Sequence, residues 1–71
     1  MQEVFIKDEY IKLGQLLKLS SLVQSGNDAK YFISEGQVSL NGEICLMRGK
    51  KVYPGDIVSF SGEEVIVKSA N

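Results

Sequence analysis

The stretch spanning residues 25–42, SGNDAKYFISEGQVSLNG, constrains the fold more than any other. Ser25, followed three residues later by Asp28, resembles a capping box, with Asp in place of the usual Glu or Gln. Ala29, Phe32 and Ile33 then fall at the i, i+3, i+4 spacing of one apolar helical face, and Lys30 lies beside that face. Gly36 stands where such a helix ends, because glycine enters the left-handed region without a Cβ clash. Val38 and Leu40 alternate with Gln37 and Ser39 as in a short strand. Asn41-Gly42 supplies both positive-φ residues of a type I′ hairpin turn. The spacing therefore predicts a helix over 27–35, a strand, and a tight reversal.

The rest of the chain fits around this unit. Residues 3–6 read as a strand with Val4 and Ile6 on one face, and 7–10 as a charged connection. Leu13, Leu16 and Leu17 repeat the helical spacing and predict a first helix over 13–19. Gly14 is disfavoured inside it by about 1 kcal/mol relative to Ala, so close packing against the backbone is the expected reason for it. Ser20 and Ser21 mark its end, and Leu22 and Val23 form an apolar link buried between the helices. Beyond Gly42, residues 43–46 read as the returning strand and 47–51 as a basic loop. Pro54-Gly55 suits the centre of a type II turn. Residues 56–60 and 63–68 form two further strands around Ser61-Gly62. The order predicts an α+β domain, two short helices packed on one side of a small, mostly antiparallel sheet built from hairpins.

Length and composition exclude several classes. With 71 residues there is room for one domain, 1–71, with a small core. One cysteine, Cys45, precludes an internal disulfide, and a free thiol suits a reducing cytoplasm. The opening MQEVFIKDEY is too short in its apolar run for a signal peptide, and no window approaches a membrane span. A soluble, cytoplasmic monomer without membrane contact is the expectation. The chain has no histidine, no paired carboxylates with a pocket and no Gly-rich phosphate loop, so neither an enzyme nor a cofactor is expected. A net charge of −1 argues against indiscriminate binding of polyanions. Arg48, Lys50 and Lys51 nevertheless cluster in a stretch with no acid between Ile44 and Tyr53.

These pieces, in this order, resemble the alpha-L RNA-binding motif, the domain named after small-subunit ribosomal protein four. They are the Leu-rich helix Leu13–Leu17, Ser25 with Asp28-Ala29-Lys30, the run from Glu35 to Asn41-Gly42, and Pro54-Gly55-Asp56-Ile57-Val58. The motif core covers about residues 12–58. The N-terminal strand, the Leu-Gly-Gln-Leu-Leu-Lys stretch and the Arg48-Gly49-Lys50-Lys51 loop are similar to the small stand-alone bacterial members, the YaaA-like proteins. Two positions differ from the usual pattern. Gly26 stands where many members carry an arginine, and Gly14 follows Lys12-Leu13 where many have Arg-Leu-Asp.

The resemblance implies binding of structured RNA, ribosomal RNA above all, with ribosomal-subunit proteins as further partners. Its candidate residues are Lys12, Ser25, Asn27, Lys30, Arg48, Lys50 and Lys51. A helix N-terminus attracts phosphate, and Gly26 and Asn27 let a backbone approach it. Asp28 works against this by bringing a negative charge into the first turn. RNA duplexes are recognised largely through shape, phosphates and 2′-hydroxyls, so few base-reading side chains are needed. Tyr31 could stack on a base, although half-buried packing is the commoner role at a helix flank. Cys45 is expected to be inert packing. The alternative is a protein-interaction module that keeps the fold with little RNA affinity, which the acidic balance, Gly14 and Gly26 favour. A ubiquitin-like sulfur carrier is set aside because such chains end in Gly-Gly and this one ends in Ser69-Ala70-Asn71.

Overall fold

Why the helices stop where they do fixes the rest of the architecture. A computed structural model describes residues 1–71. Helix α1 spans Leu13–Leu19 and helix α2 spans Gly26–Ser34, one residue earlier at each end than the spacing suggested. The Ser25 side chain accepts the Asp28 amide at 3.1 Å, so the N-cap half of the expected capping box forms, while the Asp28 carboxylate does not return a bond to the Ser25 amide. Both helices close in the same way, with a left-handed residue just past the last turn. After α2 that residue is Gly36, and the Gly36 and Gln37 amides donate to the Ile33 and Phe32 carbonyls. After α1 it is Ser21, whose amide reaches Lys18 while that of Leu22 reaches Leu17.

Seven strands accompany the helices. They are β1 (Gln2–Ile6), β2 (Ile11–Lys12), β3 (Val38–Leu40), β4 (Glu43–Ile44), β5 (Lys51–Val52), β6 (Ile57–Phe60) and β7 (Glu63–Ser69). Five of them form one sheet in the order β1-β7-β6-β3-β4, and β2 pairs with β5 in a separate antiparallel ribbon. Only the β1–β7 pairing is parallel, with Val4 opposite Val67. The Asn41-Gly42 and Ser61-Gly62 turns both have positive φ at their two central residues, as type I′ hairpins require. Asp56 donates its amide to the Tyr53 carbonyl across Pro54-Gly55, closing the predicted turn.

Alternation along the strands sends one set of side chains inward. Val4, Ile6, Val38, Val58, Phe60, Val65 and Val67 meet Leu13, Leu16, Leu17, Ala29 and Ile33 from the helices in one buried cluster. Removing a Val, Leu or Ile side chain from water contributes about 1.5–3 kcal/mol, so this single layer holds helices and sheet together. Val23 joins the cluster and Leu22 is half-buried against it, as the apolar link between the helices predicted. The predicted α+β architecture, with both helices on one side of a mostly antiparallel sheet, is what forms.

The returning strand is shorter than the predicted 43–46. The Cys45 amide still reaches the Val38 carbonyl at 3.0 Å, but pairing ends there. The residue that would extend β3 further, Gln37, is already committed to closing α2. Leu46 and Met47 therefore leave the sheet and lead into the basic loop. No helix is long and apolar enough to cross a membrane.

Candidate nucleic-acid interface

The leucine stripe of α1 decides what the opposite side of that helix presents. With Leu13, Leu16 and Leu17 turned inward, Gln15 and Lys18 are exposed and Gly14 lies under the loop that follows β4. That loop is bonded to the start of the helix. The Leu13 amide donates to the Lys50 carbonyl at 2.9 Å and the Gly14 amide to the Arg48 carbonyl at 3.0 Å. Two amides that an isolated helix leaves unpaired are thus satisfied by loop backbone, and the loop is held in place by the same bonds. Arg48 consequently stands over α1, beside the first turn of α2.

Lys12, Gln15, Lys18, Gly26 and Arg48, with Gly14, Ala29 and Gly49 in its floor and rim, surround a cleft of about 300 Å³. No carboxylate lines it. The one ion pair of the protein, Lys68 with Glu3 at 2.9 Å, lies elsewhere, on the outer face of the sheet. The cleft therefore holds three cations without an internal counter-ion. At its edge the Gly26 and Asn27 amides open α2 with no intrahelical acceptor and a partial positive charge. The corresponding α1 amides of Leu13 and Gly14 are already occupied by the loop.

The remaining candidate residues are distributed differently. Ser25 Oγ accepts the Asp28 amide as the α2 cap, which leaves its O–H free to donate. Asn27 and Lys30 are exposed but do not line the cleft. Lys51 faces Lys12 directly across the β2–β5 ribbon, and its Nζ sits 4.8 Å from the Tyr10 ring centroid. Lys50 lines a separate surface depression together with Lys51, Glu43 and Asp56, so carboxylates stand beside it. The basic loop is thus divided, with Arg48 turned to the cleft and Lys50 to a mixed-charge surface. Lys18 and Gln15 were missed in the sequence reading, although Lys18 is four residues after Gly14 and so on the same helical row. Tyr31 is 56% exposed, more than packing at a helix flank predicts, and meets the Phe32 ring edge-on at 5.2 Å. Cys45 packs partly buried against the core.

The residues of the family pattern that carry no charge, or only one, serve the frame. Asn41 Nδ2 donates to Asp56 Oδ1 at 3.0 Å, and Asn41 Oδ1 accepts the Ile57 amide at 2.9 Å. Asp56 Oδ2 accepts the Tyr53 amide at 2.8 Å. The Asn-Gly and Pro-Gly-Asp segments are therefore two halves of one joint.

A family model described as an S4 domain matches residues 4–68. The chain belongs to the S4 domain family. This S4 domain is 48% identical over 59 residues to a Bacillus subtilis protein named "Probable ribosome maturation protein RlbA", covering 83% of each chain. It is 39% identical over 61 residues to YbcJ of Escherichia coli K12, covering 86% of this chain and 87% of YbcJ. The solution structure of E. coli YbcJ, described as revealing an alpha-L motif involved in RNA binding, superposes with a TM-score of 0.74 at 36% identity. The superposition covers 96% of this chain and 87% of that one. The alpha-L architecture expected from the sequence is thus the one this S4 domain adopts, and the matched region includes part of β1 and most of β7 outside the 12–58 core.

Proposed function

We propose that this chain is a non-catalytic module that binds structured RNA, namely ribosomal RNA in a subunit or its precursor, by seating backbone phosphates in the cleft between α1, α2 and the Arg48 loop. The observation that carries the reading is the convergence of Lys12, Lys18 and Arg48 on a cleft without carboxylates, in a chain whose net charge is −1. A cleft lined by one sign of charge focuses the field and raises the local concentration of anions even when the whole protein is near neutral. RNA as the anion is supported by membership of the S4 family and by the description of YbcJ. The ribosomal assignment is supported by the name of the B. subtilis relative.

The test is fluorescence anisotropy with a labelled ribosomal RNA hairpin over a range of salt. Replacing Lys12, Lys18 and Arg48 with Ala together should lower the slope of log affinity against log salt by about two to three, the share of the lost phosphate contacts. Replacing Lys50 and Lys51 should lower it by less. Unchanged affinity in the triple variant refutes the cleft as the RNA site. Crosslinking in cells and sequencing of the attached RNA tests the ribosomal assignment.

A second reading, docking to a protein, is favoured by one feature. Ile44, Leu46 and Met47 stand 66%, 62% and 66% exposed along the free edge at β4. Association that survives ribonuclease and high salt supports that reading over the first, because apolar contacts are not screened.

A further inference from the structure

Gly14 is an anomaly on local grounds. It lies in the first turn of a seven-residue helix, where glycine costs backbone entropy and supplies no side chain to pack. It is buried, and its φ is not in the left-handed region, so backbone freedom does not explain it. Space does. A Cβ built on Gly14 would stand 2.7 Å from Arg48 Cγ and 3.4 Å from Arg48 Cδ. The first distance is shorter than real carbon contacts allow. The Arg48 stem therefore lies directly on the α1 backbone, and the Gly14 amide bonds the Arg48 carbonyl at 3.0 Å. Main chain and stem of the same arginine are thus both referenced to one residue of α1.

We infer that Gly14 is a positioning residue for Arg48: its missing side chain holds the arginine stem flat on α1 and so directs the guanidinium to a backbone phosphate in the cleft. A methyl group at position 14 meets Cγ, close to the root of the side chain, so the stem cannot yield by moving only its far end. It has to leave its rotamer, and the guanidinium moves with it. Lys12 and Lys18 are mobile point charges that follow a phosphate wherever it sits. A guanidinium grips phosphate through a planar fork and depends on direction, so displacement weakens it most. The inference rests on the reading of the cleft as a phosphate site.

The experiment is a double-mutant cycle with Gly14→Ala and Arg48→Met, the latter keeping the stem without the charge. Binding is read by anisotropy with the labelled ribosomal RNA hairpin across salt concentrations, and folding by thermal melts. Arg48→Met should weaken binding about tenfold, as loss of a charge-assisted contact does, and lower the salt slope by about one. Gly14→Ala alone should reproduce much of both effects. Added to Arg48→Met, it should change neither, because there is no longer a charge to misplace. A Gly14→Ala protein that melts lower yet keeps the wild-type salt slope overturns the inference and leaves Gly14 a packing residue. So does equal weakening by Gly14→Ala in both backgrounds.

A measurement on the wild type keeps the test decisive if Gly14→Ala fails to fold. A nuclear Overhauser effect between the Arg48 γ-methylene and Gly14 Hα, with an Arg48 Nε–Hε resonance that shifts on titration with inorganic pyrophosphate, supports the inference. Absence of either overturns it. If the RNA hairpin does not bind but pyrophosphate still shifts Arg48, the RNA reading fails and the placement of Arg48 by Gly14 stands. If RNA binds and Arg48→Met is indifferent to it, the RNA reading survives and the inference fails.

Discussion

Asn41→Ala is expected to destabilise the protein out of proportion to its exposed position. Three things are lost at once. Asn41 Nδ2 no longer reaches Asp56 at 3.0 Å, and the Ile57 amide loses its 2.9 Å acceptor. The backbone at φ 52° must be held by alanine, which tolerates the left-handed region less well than asparagine. Each hydrogen bond contributes about 0.5–1 kcal/mol in this exposed setting, and the backbone strain adds about 1 kcal/mol. The total is about 2–3 kcal/mol. A chain of this length has a stability of roughly 4–10 kcal/mol, and each kcal/mol is worth about 4–8 °C in Tm for a domain of this size. The melting temperature should therefore fall by about 10–20 °C. Urea unfolding followed by circular dichroism and tyrosine fluorescence gives the free energy directly. Asn41→Gly keeps the turn geometry and discards the side chain, so its difference from Asn41→Ala isolates the strain. Combining Asn41→Ala with Asp56→Ala should cost less than the two separately, because they share a bond. A loss below about 0.5 kcal/mol for Asn41→Ala, or strict additivity with Asp56→Ala, refutes the joint between the two turns.

Other perturbations have clear expected outcomes. Ser25→Ala removes the acceptor of the Asp28 amide and should lower stability by about 1 kcal/mol in the same urea experiment. Leu17→Ala, at a fully buried position in the shared core, should lower it by about 2–5 kcal/mol and bring the protein close to unfolding at room temperature. Glu3→Gln breaks the Lys68 ion pair on the open face of the sheet and should change stability by less than about 0.5 kcal/mol, since both side chains are well solvated.

The parts of the fold legible in the sequence are those decided within a few residues. Ser25 with Asp28, Gly36, Asn41-Gly42 and Pro54-Gly55 each specify a backbone event locally, and each occurs where the residues indicated. The leucine spacing likewise placed α1 at its observed bounds. What the sequence hid was pairing at a distance. Ile11-Lys12 and Lys51-Val52 are too short to show alternation, and nothing local announces that they meet. The parallel match of β1 with β7 is hidden for the same reason. Charge proximity along the chain is a poor guide to which cations share a surface. Arg48 and Lys50 are two residues apart yet turn to different surfaces, while Lys12, Lys18 and Arg48 are brought together only by the fold. Gly14 was legible as a close approach, and the structure identifies Arg48 as the group that approaches.

The two bonds from the Leu13 and Gly14 amides to the Lys50 and Arg48 carbonyls have a consequence for how such a chain can vary. They use main-chain atoms, so almost any side chain can occupy the segment without disturbing them. What they do not tolerate is a change in spacing, since one inserted residue between Arg48 and Lys51 shifts a carbonyl away from its amide and breaks the two-residue ribbon beyond it. Length in this segment is thus under tighter physical restraint than composition, and its chemical character is free to diverge while its register is not.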